Sequence, residues 1–380
     1  MFSFPVHSAD SHIIEPPDLW TKRIEPKFRE RAPRVVQLED TDLWIVEDNV
    51  TLAVVGIQNQ AGLRFDNPEL ISKNDRYENI PELTPERYIQ DLDSDKVVGS
   101  VLYSSNAHQA YRSAKQDLLC AIARTYNDWI LEFCSSHPKR LKAVAMINID
   151  DPSEGVREME RTAKLGASGF MLPIFPGLNC RYDHPKYEVL WNAAEDLNLP
   201  LSFHLGANRA ALGSKFGIDL PQHATKDFHP QACVSILIFS GVFARHPKLK
   251  LMVVEFGTSW VFHLMNNLDR IYKANRDCQI FQFPDGELPS DYLRRNIYTT
   301  FQEDMPGIYL RDAIGVDNML WGNDYPHAES TFPRSQEFLS KHFQGIPEIE
   351  AAKIAGGNAQ KLYGFEDISI SASQEKLCIK

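Results

Sequence analysis

The six cysteines, at positions 120, 134, 180, 233, 278 and 378, form no C-x-x-C pair. In a chain of 380 residues they read as reduced thiols, expected of a cytoplasmic protein and not of a small disulfide scaffold. Long hydrophobic runs are also missing. The start, MFSFPVHSAD, has no basic n-region and no apolar stretch, so neither a secretory leader nor a membrane span is expected. Positive charge is scarce: 40 Lys and Arg stand against 51 Asp and Glu, a net charge of −11 that would repel nucleic-acid phosphates. Finally, the segment ADSHIIEPPD after the first apolar run contains no glycine. An open doubly wound sheet would carry its Gly-rich phosphate turn there, which disfavours a nucleotide-binding fold.

What is present is a regular alternation. Hydrophobic residues make up 43% of the chain, enough for a large core. Short apolar runs fall at Phe4–Ala9, Val97–Ser104, Leu141–Ile149, Ala167–Ile174, Leu199–Leu205, Leu249–Phe256, Ile297–Phe301 and Asn318–Gly322. Each has the length of a strand buried on both faces. Helical patterns lie between them, at 107–135, after Asp151-Pro152, and at Pro185–Leu197, Gln231–Ala244, Thr258–Ala274, Gly307–Ile314 and Arg334–His342. A last helix runs from about Pro347 to Tyr363, with Gly364 as its stop. Eight strand–helix alternations predict an α/β chain folded as a (β/α)8 TIM barrel. Between the first two barrel strands, RVVQLED, DLWIVED and NVTLAVV read as three short strands, followed by a helix near Pro85–Leu92. The expected organisation is one barrel over 1–365, with an insertion at about 14–95 that shapes the catalytic mouth, and a polar tail over 366–380.

The chemistry-bearing residues sit where barrel strands end. Asp10 and His12 are two apart, so in a strand they share a face. A carboxylate and an imidazole side by side suit a divalent ion, although a lone D-x-H is a weak signal. His204 ends the fifth run in SFHLG; alone, it reads as a core histidine bonded to a carbonyl. Asp324 ends the eighth in WGNDYPH, where the bland alternative is an Asx turn before Pro326. Three strands placing metal-competent side chains at the catalytic end make the joint case. Glu255 closes the sixth run in VVEFG and is read as a proton-transfer group facing the pocket, against a structural ion pair. His327 is read as a partner of Asp324 or a substrate contact. Arg209 could receive a substrate carboxylate in a fork geometry. Trp260 could wall an aromatic pocket. Glu15 either hydrogen-bonds a ligand histidine or simply begins the insertion.

The chain resembles the amidohydrolase-related group that includes aminocarboxymuconate-semialdehyde decarboxylase and related aromatic-acid decarboxylases. The marks are SADSHIIEPPDLW, YNDWILEFCSSHPKRLKAVAMINIDDP, LPLSFHLG, HPKLKLMVVEFGTSWV, WGNDYPHAEST and KIAGGNAQKLYGF, spread over nearly the whole chain. The resemblance implies that Asp10, His12, His204 and Asp324 are metal ligands. Two positions depart from the family pattern: the first ligand is Asp10 where His or Glu is usual, and the sixth strand carries Glu255 where a catalytic His is common. The fourth run, GFMLPIFPG, has no Lys to bridge two ions, so one divalent ion is expected, Zn2+ first and Mn2+ as the alternative. The resemblance also suggests a homodimer acting on a small-molecule substrate.

Two activities follow. The leading one is decarboxylation of a small aromatic or unsaturated carboxylic acid held on the metal, with Asp324 as proton donor and acceptor. The alternative is hydrolysis of an amide, lactone or carbon–carbon bond by a metal-activated water. Glu255 in place of His tilts towards hydrolysis, and whole-chain similarity tilts towards decarboxylation. A catalytically silent barrel would have lost a ligand, and none is lost.

Overall fold

A computed structural model describes the chain apart from residues 1, 40, 49, 56, 57, 59, 63–75, 81, 113, 178, 179, 210–219, 276–280 and 367–380. All of the expected C-terminal tail but Glu366, and Cys278 and Cys378, lie outside the described residues. The other four cysteines are free thiols. Among the described residues, no helix is long and apolar enough to cross a membrane.

The strands run in chain order as β1 His7–Ile13, β2 Arg34–Gln37, β3 Asp42–Val46, β4 Val50–Val54, β5 Gly99–Ser104, β6 Leu141–Met146, β7 Gly169–Leu172, β8 Leu201–His204, β9 Leu251–Val254, β10 Ile297–Phe301 and β11 Met319–Trp321. β1 and β5 to β11 form one eight-stranded sheet in the order β1-β5-β6-β7-β8-β9-β10-β11, and each neighbouring pair is parallel. Two backbone bonds carry the ring round from β11 to β1: the Asp324 N–H donates to Asp10 O at 2.9 Å, and the His12 N–H to Tyr325 O at 2.7 Å. The result is the expected β/α barrel. β2, β3 and β4 pair antiparallel as a separate three-stranded sheet, where the three acidic-bounded runs had placed them.

Local signals explain several boundaries. Asp151 accepts from the Ser153 and Glu154 N–H groups and Pro152 takes the first turn, so the helix Pro152–Lys164 starts where the sequence indicated. The final helical run, Glu348–Tyr363, passes through a π turn at Lys353–Gly357 and stops at Gly364, which has φ +66°.

Three boundaries differ from expectation. β1 begins and ends later than the run Phe4–Ala9, so Asp10 and His12 lie inside the strand. The polar Asp10-Ser11-His12 stretch is buried, and it lies in the strand as the shared face of Asp10 and His12 requires. The 107–135 pattern divides into a 3-10 turn at Ala107–Arg112 and the helix Gln116–Ser135. The Gln231–Ala244 pattern breaks at Gly241, whose φ of +73° stops the helix Phe228–Phe239 from continuing. The helix Pro289–Asn296 was not expected at all; four of its eight residues are charged or amide side chains and its apolar face is short.

Ring closure depends on one close approach. A Cβ on Gly322 would stand 2.4 Å from Asp10 Cβ and 3.0 Å from Asp10 O. Gly322→Ala is therefore expected to force β1 and β11 apart and to lower stability by about 1–3 kcal/mol in urea unfolding. Wild-type stability in that variant would contradict the tight approach.

Candidate metal centre

The ends of β1, β8 and β9 and the residues after β11 meet in one cleft of about 190 Å3. Its lining includes His12, His204, Glu255, Asp324 and His327. The cleft is small on the scale of ligand pockets, ~300–1,000 Å3, so it suits a small molecule.

Asp10, His12, His204 and Asp324 are all buried. His12 Nε2 lies 3.3 Å from Asp324 Oδ1 and 3.8 Å from Asp10 Oδ1, and His204 Nε2 lies 3.5 Å from Asp10 Oδ1. Three of these side chains turn one buried atom inward without a hydrogen-bond partner, Asp10 Oδ1, His12 Nε2 and His204 Nε2, while Asp324 Oδ1 lies 2.9 Å from His327 Nδ1. The other ring nitrogens are fixed. His12 Nδ1 donates to Ser104 O at 3.0 Å and His204 Nδ1 to Leu205 O at 2.8 Å. A carbonyl only accepts, so the proton sits on Nδ1 and the Nε2 lone pair is left for a ligand. Asp10 is steadied by Thr300, whose hydroxyl donates to Oδ2 at 3.2 Å. Asp10, His12 and His204 converge closely enough to hold one divalent cation, and His12, Asp324 and His327 form a second such group that shares His12.

Two backbones are bent to serve this cluster. Asp324 has φ +58° and Glu255 has φ +73°. Neither is glycine, so each stores about 1–3 kcal/mol of backbone strain. Asp324 is locked by its neighbour: Asn323 Oδ1 accepts from Ser8, from Ser11 and from the Tyr325 N–H at 2.8–3.1 Å. Glu255 is held by its N–H, which donates to Thr300 Oγ1 at 2.8 Å. Thr300 thus ties β10 to both acids.

Without a cation, protons do the neutralising. Burial pushes His12 well below the usual histidine range, helped by His327 and His204, so it is a neutral donor. Burial also pushes His204 down, but Asp10 and Glu255 more than offset this and carry it up to about 9. Burial and the nearby Asp324 raise Glu255 to about 8. His327 is raised too, because Asp324, with Oδ1 2.9 Å from its Nδ1, outweighs burial.

Other expected site residues fall differently. Glu255 faces the cleft, with Oε2 3.5 Å from His204 Nδ1, and the charge of Lys226 also acts on it. His327 stacks on His12 with ring centroids 3.9 Å apart, and its Nε2 lies 3.1 Å from Ser105 Oγ. Arg209 is a correction: its guanidinium pairs with Asp150 and donates to Tyr111 O and Ala114 O, so its donors are taken and it does not line the cleft. Trp260 is a second correction. It is buried with its indole N–H on Gly257 O at 3.0 Å and lies outside the cleft lining. Glu15 bonds no ligand histidine; its carboxylate accepts from Asn106 and Ala107.

Sequence reasoning passed over His108, Gln109 and Gln58, which line the cleft. The signal for the first two was their position: SSNAHQ directly follows β5, at the catalytic end of a barrel strand. His223 also reaches the cleft, 3.7 Å from Glu329.

Thr300→Val removes the donor to Asp10 and the acceptor for the Glu255 N–H. Zn2+ affinity is expected to fall about 10- to 100-fold in competition with a chelating dye. An unchanged affinity would show that Asp10 needs no such support.

A family model described as amidohydrolase matches residues 74–365. Gamma-resorcylate decarboxylase of Polaromonas sp. strain JS666 is 26% identical over 294 residues, covering 70% of this chain and 83% of that protein. The 2-amino-3-carboxymuconate-6-semialdehyde decarboxylase of Dictyostelium discoideum is 25% identical over 297 residues, covering 74% and 77%. Among solved structures, an amidohydrolase from Mycobacterium avium subsp. paratuberculosis K-10 matches with a TM-score of 0.79 at 23% identity, over 96% of this chain and 100% of that one. A dihydroxybenzoic acid decarboxylase from Polaromonas sp. JS666, with bound manganese and the inhibitor 2-nitroresorcinol, matches with a TM-score of 0.63 at 19% identity, over 96% and 98%. The structural matches carry the fold, and the family model spans most of the sequence: this chain is an enzyme of the amidohydrolase family.

Proposed function

We propose that the chain is a metal-dependent carboxy-lyase for a small aromatic or unsaturated carboxylic acid. The observation that carries this reading is the buried cluster of Asp10, His12, His204 and Asp324 at the catalytic end of the barrel, whose side chains make two overlapping groups able to hold a cation. The choice of reaction is supported by the two curated relatives, both named as decarboxylases. Asp10, His12, His204 and Asp324 would hold one divalent ion. The mixed nitrogen and oxygen donors suit Zn2+, and Mn2+, present in the Polaromonas structure, is the alternative. When bound, the ion supplies positive charge that draws in the substrate carboxylate and a neighbouring hydroxyl.

The protein's own groups then manage protons. His327 Nδ1 and Asp324 Oδ1, 2.9 Å apart, form a relay from the cleft to the reacting carbon. Asp324 gives a proton to the carbon that bears the carboxylate. The carbon–carboxylate bond breaks, its electron pair returns to the substrate π system, and CO2 leaves. One proton is consumed, and His327 restores it to Asp324. His12 stacks under His327 and fixes the ring plane.

Glu255 is placed to exchange protons in the cleft, buried there with Oε2 3.5 Å from His204 Nδ1.

The test is a panel of hydroxybenzoates and unsaturated acids given to metal-loaded protein, with CO2 as the readout. Turnover is expected with CO2 and decarboxylated product in equal amounts. Asp324→Asn is expected to lower kcat about 10²- to 10⁴-fold. Hydrolysis of lactones or amides without CO2, or full turnover in the variant, would contradict the proposal.

A further inference from the structure

The antiparallel sheet β2–β4 lies between β1 and β5 in sequence, and the proposed reaction gives it no task. A continuous hydrogen-bond path nevertheless leads from it to the metal cluster. The indole N–H of Trp44, on β3, donates to Tyr77 Oη at 3.0 Å, and the Tyr77 hydroxyl donates to the main-chain O of Glu15 at 2.8 Å. Trp44 and Glu15 are both fully buried. The Glu15 carboxylate accepts the Asn106 N–H at 3.0 Å, Asn106 Nδ2–H at 2.8 Å and the Ala107 N–H at 2.9 Å. Those donors belong to the turn that follows β5.

The same turn orients three site histidines. Ser104 O accepts from His12 Nδ1 at 3.0 Å and from His108 Nδ1 at 2.9 Å. Ser105 Oγ meets His327 Nε2 at 3.1 Å, and Ser105 O accepts from Gln58 Nε2 at 2.8 Å. A shift of this turn by a few tenths of an ångström therefore moves a ligand ring and the proposed proton relay together.

A buried carboxylate that no cation among the described residues pairs with, as at Glu15, is costly unless several donors face it. A neutral side chain would close the turn at lower cost if closing it were all that mattered. We infer that Glu15 is a positioning residue for the metal cluster, acting through Ser104 and Ser105, and that the β2–β4 insertion is the buttress that holds Glu15 in place. The inference rests on the metal reading above, because positioning has meaning only if His12 is a ligand. Its consequence is that the β2–β4 sheet tunes the metal site from outside the cleft.

The experiment uses full-length protein stripped of metal and titrated with Co2+, whose visible absorption reports ligand geometry directly. Wild-type, Glu15→Gln and Tyr77→Phe are compared, with urea unfolding of each metal-free protein run alongside. Glu15→Gln places an amide N–H against the Asn106 and Ala107 donors. It is expected to weaken Co2+ binding about 10- to 100-fold and to change the absorption band. Tyr77→Phe removes one hydroxyl two steps further out and guards against misfolding of the first variant. It is expected to shift Co2+ affinity in the same direction by about 2- to 10-fold, below that range. Wild-type affinity and spectrum in Tyr77→Phe, or in a folded Glu15→Gln, would overturn the inference even if stability falls, since a merely structural role would do that. Failure of the wild-type protein to bind Co2+ in the cleft would instead overturn the metal reading beneath it.

Discussion

Asp10, His12, His204 and Asp324 are buried together in the barrel mouth, and much of the surrounding structure holds them there. Buried polar atoms normally find partners, because leaving one bare costs about 1–3 kcal/mol. Here Asp10 Oδ1, His12 Nε2 and His204 Nε2 are bare, and Asp324 Oδ1, beside His327, lies 3.3 Å from His12 Nε2. Two carboxylates buried in one cluster call for a compensating positive charge. The cluster shows that pressure: His204, after burial has pushed it down, is pulled up by Asp10 and Glu255, and Glu255 is pushed up by burial and Asp324. A single divalent ion relieves the repulsion and satisfies all four atoms at once, which no rearrangement of hydrogen bonds among them does.

The barrel supplies the rigidity for this. Ligands come from strands that are not sequence neighbours, β1 and β8, and from the turn after β11. Closure of the ring brings β11 against β1, and only Gly322 is small enough at the point of approach. The closing bonds run through the ligands themselves, from the Asp324 N–H to Asp10 O and from the His12 N–H to the carbonyl of Tyr325. Forming the barrel and assembling the cluster are thus one event. The strained backbones at Asp324 and Glu255 persist because Asn323 and Thr300 hold them on both sides. Strain of this kind is tolerated where function requires a side chain to leave a strand at an unusual angle.

Much of this was legible before any coordinates, for physical reasons. Interior barrel strands are buried on both faces, so they appear as apolar runs, and residues at their ends declare themselves by being polar. That is how His204, Glu255 and Asp324 stood out. β1 was placed too early because its second half is polar, and only the site explains why Asp10, Ser11 and His12 are buried. Arg209 was misjudged because its partner Asp150 lies on another loop 59 residues away, a distance no local pattern crosses. Trp260 looked like a pocket wall, but its indole is spent on Gly257 O. Gln58 and His108 were missed because they sit in turns, where side-chain direction depends on tertiary contacts. Of the two readings of Glu15, the contact with a histidine is not made: its carboxylate accepts from Asn106 and Ala107.

The most direct test of the central claim is anomalous diffraction from crystals grown with Zn2+ or Mn2+, with data taken on either side of the metal's absorption edge. The account predicts one strong peak in the cleft, within about 2.0–2.2 Å of Asp10 Oδ1, His12 Nε2, His204 Nε2 and Asp324 Oδ1. A map with no peak there, or with the ion bound by other side chains while these four keep their present positions, would contradict it.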